Sequence, residues 1–393
     1  MEALKKSNKS WLIIALPILL VICIMIAFVV VNSMDHHQNS IDFSNFWLAG
    51  HLVTQGKSPY DAAQWVAEYP PYELDIALNP SFVYPLPLAL LLAPLGWLSF
   101  HSAYLLWVTL LLLMIAISLA MLLTMASTPR SKIIIFPLLV GIVFFRPTTL
   151  TLTQGQMSGL FLFLLASMAF LWGKRKWFWG GFLLGLLMLK PNLGVIVIAF
   201  LAVWLMIHRR WTALGGVAIS CLFLLLAGLA YSPNWIVEYW SLGSSYLTQT
   251  FGGSPTLWGL GALACHRNLT CVFAFGGITT LLLVLGFLWL IIRYKDLSPA
   301  NALALAVTLT LLVTPYTWTY DQLLLIIPIT LVTLAIDRLG GRFLLAAVIF
   351  PAIDVLVVVF LIFNVIMQVE ILNAFVPLIV SGLCGWFLTR PSA

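Results

Sequence analysis

One carboxylate, two unexpected cations and a pair of amides stand where this sequence needs a chemical explanation. Asp42 opens the segment Asp42-Phe43-Ser44-Asn45-Phe46-Trp47 just after a first apolar run, in a chain that is 62% hydrophobic and only 8% charged. A carboxylate at a water-lipid boundary can be merely solvated. Held among rings such as Phe43, Phe46 and Trp47 it is instead partly desolvated, which raises its pKa and suits it to act as a general base. Lys190 interrupts an apolar stretch ahead of Pro191. Such a lysine either snorkels to the surface or holds a lipid-linked phosphate and stabilises it as a leaving group. Arg146, ahead of Pro147, offers a forked donor suited to the same phosphate. Gln154-Gly155-Gln156 places two amides able to bond sugar hydroxyls around a glycine that lets a substrate approach the backbone.

Further along, Tyr316, Trp318, Tyr320 and Asp321 cap a helix end, either as an interfacial belt or as substrate contacts, and Tyr320 and Asp321 stand as substrate-binding candidates. Trp235, Tyr239, Trp240 and Tyr246 are belt residues or stacking platforms for a sugar or isoprenoid chain. Asp35-His36-His37 invites a metal, but adjacent histidines seldom converge on one ion and no second carboxylate-rich motif accompanies them, so neither a metal nor another cofactor is expected. Cys265 and Cys271 form either a disulfide or two free thiols.

The elements that position these residues are helices in a membrane. Mean hydropathy is +1.07 over 393 residues, far from soluble composition, and backbone groups in lipid must be satisfied within each segment. The fold class is therefore all-α and polytopic. The first apolar run, 11–32, follows Lys5, Lys6 and Lys9; too long for a signal peptide and without a small-residue cleavage site, it reads as a retained span with a cytoplasmic N-terminus. Short cytoplasmic loops carry the excess of Lys and Arg. Placing Arg130/Lys132, Lys174/Arg175/Lys176, Arg209/Arg210, Arg293/Lys295, Arg338/Arg342 and Arg390 inside requires about twelve crossings and a cytoplasmic C-terminus. These are 11–32, 102–126, 133–147, 157–173, 177–189, 192–207, 211–231, 271–293, 299–315, 321–337, 343–363 and 371–389.

The whole chain, 1–393, then reads as one membrane domain: first span 1–32, outer loop 33–101 with interfacial helices, central helices 102–231, a second outer loop 232–270 and C-terminal helices 271–393. Phe82 to Leu95 reads as a helix along the outer interface, because counting it as a span would invert every later basic cluster. The two short segments around Lys190 read as a hairpin whose tip underlies a cavity opening outward. Gly181 and Gly185 serve close helix packing. Asp354, inside an apolar run, must face protein or water. The net charge of +6 follows from topology and gives no reason to expect a nucleic-acid partner.

At these residues the chain resembles the polyprenol-phosphate-dependent glycosyltransferases of family 87, within the C-type membrane glycosyltransferase superfamily. The resemblance rests on Asp42 with Phe43 and Trp47-Leu48-Ala49-Gly50, Gly56 with Pro59-Tyr60-Asp61, Tyr84-Pro85 with Pro94-Leu95, Gly155-Gln156, and Lys190-Pro191. One departure is visible: the family usually shows Tyr-Pro-Pro before its interfacial helix, whereas Leu86 follows Tyr84-Pro85 here and Tyr69-Pro70-Pro71 stands earlier.

The resemblance implies a lipid-phosphate sugar donor and inversion at the anomeric carbon; with the charge topology it leads to the expectation that a hexose, such as mannose, moves from a polyprenyl phosphate to a hydroxyl of a lipid or glycan acceptor at the outer face of the cell membrane. Asp42 would be the base, Lys190 and Arg146 would hold the donor phosphate, and Gln154, Gln156, Trp47, Tyr60, Tyr320 and Asp321 would contact substrate. The alternatives are a secondary transporter, which needs ionisable residues near the midplane, and a non-catalytic membrane assembly subunit.

Overall fold

The computed structural model describes residues 42–68, 82–125, 134–266, 268–294, 296–338, 343–367 and 370–389. The expected first span 11–32, Asp35-His36-His37, Tyr69-Pro70-Pro71 and the basic residues Arg130, Lys132, Lys295, Arg342 and Arg390 lie outside the described residues. Among the described residues the elements are all helical.

The segment expected as the first outer loop contains three short helices, α1 (Phe43–Thr54), α2 (Ala62–Ala67) and α3 (Leu86–Gly96). Gly56 (φ +71°) turns the chain after α1, and Asp61 caps α2 by accepting from the Ala63 and Gln64 amides at 2.9 and 3.1 Å. At its 11 residues, α3 rises only about 16 Å and falls short of a bilayer's roughly 30 Å. It does not lie free on a surface, however. Leu86, Leu88 and Ala89 are fully buried, and a Cβ added at Gly50 would stand 2.6 Å from the Leu92 carbonyl oxygen, so α1 and α3 cross in backbone contact. Leu91 and Trp97 keep an exposed apolar edge.

The remaining helices are α4 (Phe100–Met125), α5 (Ile135–Phe144), α6 (Arg146–Thr153), α7 (Ser158–Gly173), α8 (Trp177–Gly185), α9 (Pro191–Ile207), α10 (Trp211–Tyr231), α11 (Trp235–Thr250), α12 (Leu257–Ala264), α13 (Leu269–Arg293), α14 (Pro299–Val313), α15 (Ile326–Arg338), α16 (Phe343–Met367) and α17 (Phe375–Phe387). Among the described residues five helical stretches are long and apolar enough to cross a membrane, or six if the bent pair α5 and α6 is one span. The chain thus has the apolar helices of a membrane protein.

Several expected spans correspond to shorter or broken helices, each with a local cause. The expected span 133–147 bends by 52° between α5 and α6, where Pro147 lacks the N–H that would continue the ladder. The expected span 177–189 ends in a 3-10 turn, Leu186–Leu189, before Lys190 leaves helical geometry and Pro191 opens α9. Every residue of α14 from Ala302 to Val313 is buried, so this helix is the core of the bundle rather than a lipid-facing wall. As expected, the glycines of α8 serve packing: a Cβ at Gly185 would lie 2.7 Å from that of Ser220 on α10. Cys265 and Cys271 are joined as a disulfide that ties the end of α12 to α13. Asp354 sits half-buried within α16, and its Oδ1 has no hydrogen-bond partner among the described residues.

Candidate active site

The site begins at the turn between α6 and α7. Gly155 adopts φ +65°, and a Cβ added there would stand 2.6 Å from the Phe43 Cβ. The turn is held from outside by Trp107 Nε1, which donates to the Gly155 carbonyl at 2.8 Å, and by the Tyr104 hydroxyl, which donates to Thr153 O at 3.0 Å. Its two amides then fasten the start of α1. Phe43 N donates to Gln154 O at 2.9 Å, Asp42 N donates to Gln154 Oε1 at 3.3 Å, and Gln156 Nε2 donates to Asp42 Oδ2 at 2.5 Å. Gly155→Ala is expected to cost more than about 1 kcal/mol, because it combines a left-handed backbone with a clash. Thermal unfolding of the purified variant checks this.

Asp42 faces a cavity of about 310 Å³. One wall is Asp42, Asn45, Val83 and Tyr84; the other is Leu150, Gln154 and Gln156 with Tyr246, Trp318, Tyr320 and Glu370. Two carboxylates line it, and among the described residues no Lys, Arg or His does. Burial raises the pKa of Asp42 above the ordinary 3.8, against the Gln156 hydrogen bond and the Lys190 charge, which lower it; Asp321 and Glu370 add to the rise. The result is a carboxylate with one oxygen held by an amide, a more basic character than a solvated aspartate, and open space in front of it. Such a group can accept a proton from a hydroxyl. Rings and amides of this kind suit a polyhydroxylated ligand better than an anionic one, since they supply stacking faces and donor-acceptor pairs without positive charge. Gln156 Oε1 is buried without a hydrogen-bond partner among the described residues, leaving an acceptor unused beside the cavity.

The structure brings Asp42, Gln154, Gln156, Tyr246, Trp318 and Tyr320 together on this cavity and keeps Lys190, Arg146, Asp321, Trp47 and Tyr60 off its wall. Lys190 is 3% exposed and forms an ion pair with the wholly buried Asp321 at 2.5 Å. Asp321 also accepts from Ser158 Oγ at 3.0 Å and from Trp318 N at 3.2 Å, which satisfies both carboxylate oxygens. The Lys190 ammonium lies 5.1 Å from the centre of the Tyr320 ring, directly behind the cavity wall. Its charge reaches Asp42 through the protein, without contact. Arg146 is half-buried at the start of α6, unpaired among the described residues and within electrostatic reach of Glu370. Trp47 donates from Nε1 to Leu98 O at 3.1 Å. Tyr60 donates to Tyr84 O at 2.6 Å. Both therefore brace the loop behind the wall.

Glu370 is the residue that sequence reasoning missed. In the sequence it is an isolated acid, 328 positions after Asp42 by their numbers. Its Oε2 accepts from the Thr319 amide at 3.1 Å and hydroxyl at 2.7 Å. Behind it Asn373 Nδ2 donates to Thr319 Oγ1 at 2.7 Å, and Asn364 Nδ2 donates to Asn373 Oδ1 at 3.1 Å, a connected polar network that fixes its position. The signal that could have found it is the cluster Asn364, Glu370, Asn373 beside an apolar run, which lipid does not tolerate without partners.

The family model described as glycosyltransferase family 87 matches residues 82–315. No curated protein and no solved structure matches the chain. The matched segment contains Tyr84, Arg146, Gln154, Gln156, Lys190 and Tyr246, whereas Asp42, Trp318, Tyr320, Asp321 and Glu370 stand outside it.

Proposed function

The chain belongs to glycosyltransferase family 87, and from that premise we propose that it moves a hexose, such as mannose, from a polyprenyl phosphate to a hydroxyl acceptor, inverting the anomeric carbon. The observation that carries the reading is Asp42: a carboxylate of raised pKa, held by Gln156, facing a cavity of sugar size. In the proposed step the acceptor hydroxyl gives its proton to the free Asp42 oxygen as its own oxygen bonds the anomeric carbon. The bond from that carbon to the phosphate oxygen breaks, and polyprenyl phosphate leaves with the electron pair.

Glu370 and the amides then hold sugar hydroxyls, which accounts for a cavity wall free of cations among the described residues. The leaving phosphate is assigned to Arg146, the half-buried guanidinium without an ion-pair partner among the described residues. Lys190 contributes through its charge behind Tyr320. A lipid donor explains why such an enzyme lives among apolar helices. The twelve-span topology, the cytoplasmic termini and an active site on the outer face of the cell membrane follow from the basic clusters and belong to the same proposal.

The transporter alternative draws its support from Lys190 and Asp354 as intramembrane ionisable groups, and the pairing of Lys190 with Asp321 removes half of that support. Incubating the purified full chain with labelled polyprenyl-phosphate mannose and glucose tests the reading; lipid-linked or glycan product from one of them is the expected result, and no transfer from any polyprenyl-phosphate hexose overturns it. A base must be unprotonated to work, so activity falls as pH drops through the pKa of Asp42. Gln156→Leu removes the hydrogen bond that lowers this pKa and is expected to move the acid limb of the rate profile to higher pH. An unmoved limb would show that Gln156 does not tune the base.

A further inference from the structure

Two turns at the far end of α7 and α9 repeat one pattern: Lys174-Arg175-Lys176-Trp177 and His208-Arg209-Arg210-Trp211. In each the central arginine is left-handed, with φ 61° at Arg175 and 54° at Arg209; among the described residues His266 alone shares this feature outside glycine. Each turn closes with the same bond, Lys176 N to Leu171 O at 2.9 Å and Arg210 N to Leu205 O at 2.8 Å. This helix-ending geometry ordinarily takes glycine, which adopts it without steric cost. The sequence twice keeps an arginine where backbone comfort asks for none, and residues held in such regions cluster where they serve a ligand.

The surroundings are built for an anion. A cavity of about 390 Å³ opens beside the turns, lined by Arg175, Lys176, Trp177, Phe178, Trp179 and Thr212. The Arg210 guanidinium lies 4.3 Å from the centre of the Trp177 ring. Lys174, Arg175, Lys176, Arg209 and Arg210 are all exposed, and none of them forms an ion pair among the described residues. The sequence holds no Asp or Glu between residues 76 and 237. Beneath, Trp172 stacks on Trp204 and His208 stacks on the same ring at 4.2 Å, a rigid floor for both turns. Trp179 and Trp211 are 59% and 62% exposed, as indoles at a membrane-water boundary are. The 16 residues of α7 carry this end roughly 24 Å from the Asp42 cavity, so it is a separate place on the molecule.

Basic turns also set topology, but that role asks for charge alone. It requires neither two strained arginines in equivalent positions nor a cavity with indole walls. We propose that the paired turns bind the phosphodiester headgroup of an anionic phospholipid, the guanidinium groups taking the phosphate oxygens while Trp179 and Trp211 lie against the glycerol and the first acyl carbons. The exposed indoles favour a lipid over a free anion, which has no apolar part to cover them.

Native mass spectrometry of the delipidated full chain, titrated with phosphatidylglycerol or phosphatidylcholine, tests this independently of any transferase activity. Phosphatidylglycerol is expected to be retained selectively and to resist millimolar inorganic phosphate. In R175G/R209G its affinity is expected to fall about thirtyfold, about fivefold for each lost cation. Glycine relieves both left-handed turns, so the thermal midpoint should hold or rise. If that variant does not fold, Arg175→Gln and Arg209→Gln each carry the test, with about fivefold weakening expected. Equal retention of phosphatidylcholine, displacement by inorganic phosphate, or unchanged affinity in folded variants would each overturn the proposal.

Discussion

Asp42→Asn is expected to lower hexose transfer by roughly 10²- to 10⁴-fold, the range that a positioned general base contributes. Asparagine keeps the shape, and its amide oxygen can still accept from Gln156 Nε2, now 2.5 Å from the carboxylate. The contact with Gln154 runs through the Asp42 backbone amide and survives unchanged. What disappears is the ability to take a proton. Stability should move little or improve, because burial disfavours the charged carboxylate and the neutral amide escapes that cost. A large loss of transfer with an undiminished thermal midpoint therefore separates catalysis from folding, whereas loss of both would make Asp42 a structural residue.

The second large effect concerns stability. Removing either partner of the Lys190–Asp321 pair leaves a buried charge uncompensated at 3% or 0% exposure, and breaking such a pair typically costs about 3–5 kcal/mol. Lys190→Ala and Asp321→Ala should each show it in detergent unfolding experiments. The double replacement Lys190→Met with Asp321→Leu should recover most of the loss, since well-packed apolar residues often match a buried ion pair. A lysine reserved for a donor phosphate behaves differently: its removal weakens donor binding and leaves folding nearly untouched. The cycle thus decides whether Lys190 is spent within the protein or kept for substrate.

The legible part of the site is what lies close in sequence or announces itself by charge. Asp42 stood out as a carboxylate beside rings, and Gln154-Gly155-Gln156 stood out as a polar turn. The sequence could not show that these two features hold each other, because their contact spans 114 positions. The amides read as sugar ligands also serve as the mounting of the base. Taken singly, Lys190 and Asp321 each read as a substrate contact. Two opposite charges inside an apolar chain, each too costly unpaired, carry a pairing signal that spacing does not resolve. Trp47 and Tyr60 belong to the recognisable loop pattern, yet their polar atoms go to the Leu98 and Tyr84 carbonyls, contacts that hydropathy does not encode.

For the fold, apolar runs and basic clusters marked the helices well: α7, α9 and α10 stand within a residue or so of the expected spans. Hydropathy could not tell a buried helix from a lipid-facing one. α14 is as apolar as a span yet buried along its whole central stretch, and the bend at Phe145 and the break at Lys190 arise from proline chemistry acting on local backbone. Glu370 stayed hidden because its value lies in a network assembled from Thr319, Asn364 and Asn373.

The most direct test of Asp42 as the base is the single-turnover rate across pH, with saturating labelled polyprenyl-phosphate hexose, in the wild-type chain and in Asp42→Asn. With Asp42 as the base, the wild type shows an acid limb with its midpoint above 3.8, the ordinary aspartate value, and the variant a slow, limb-free profile. The same limb persisting in Asp42→Asn at comparable rate would contradict it.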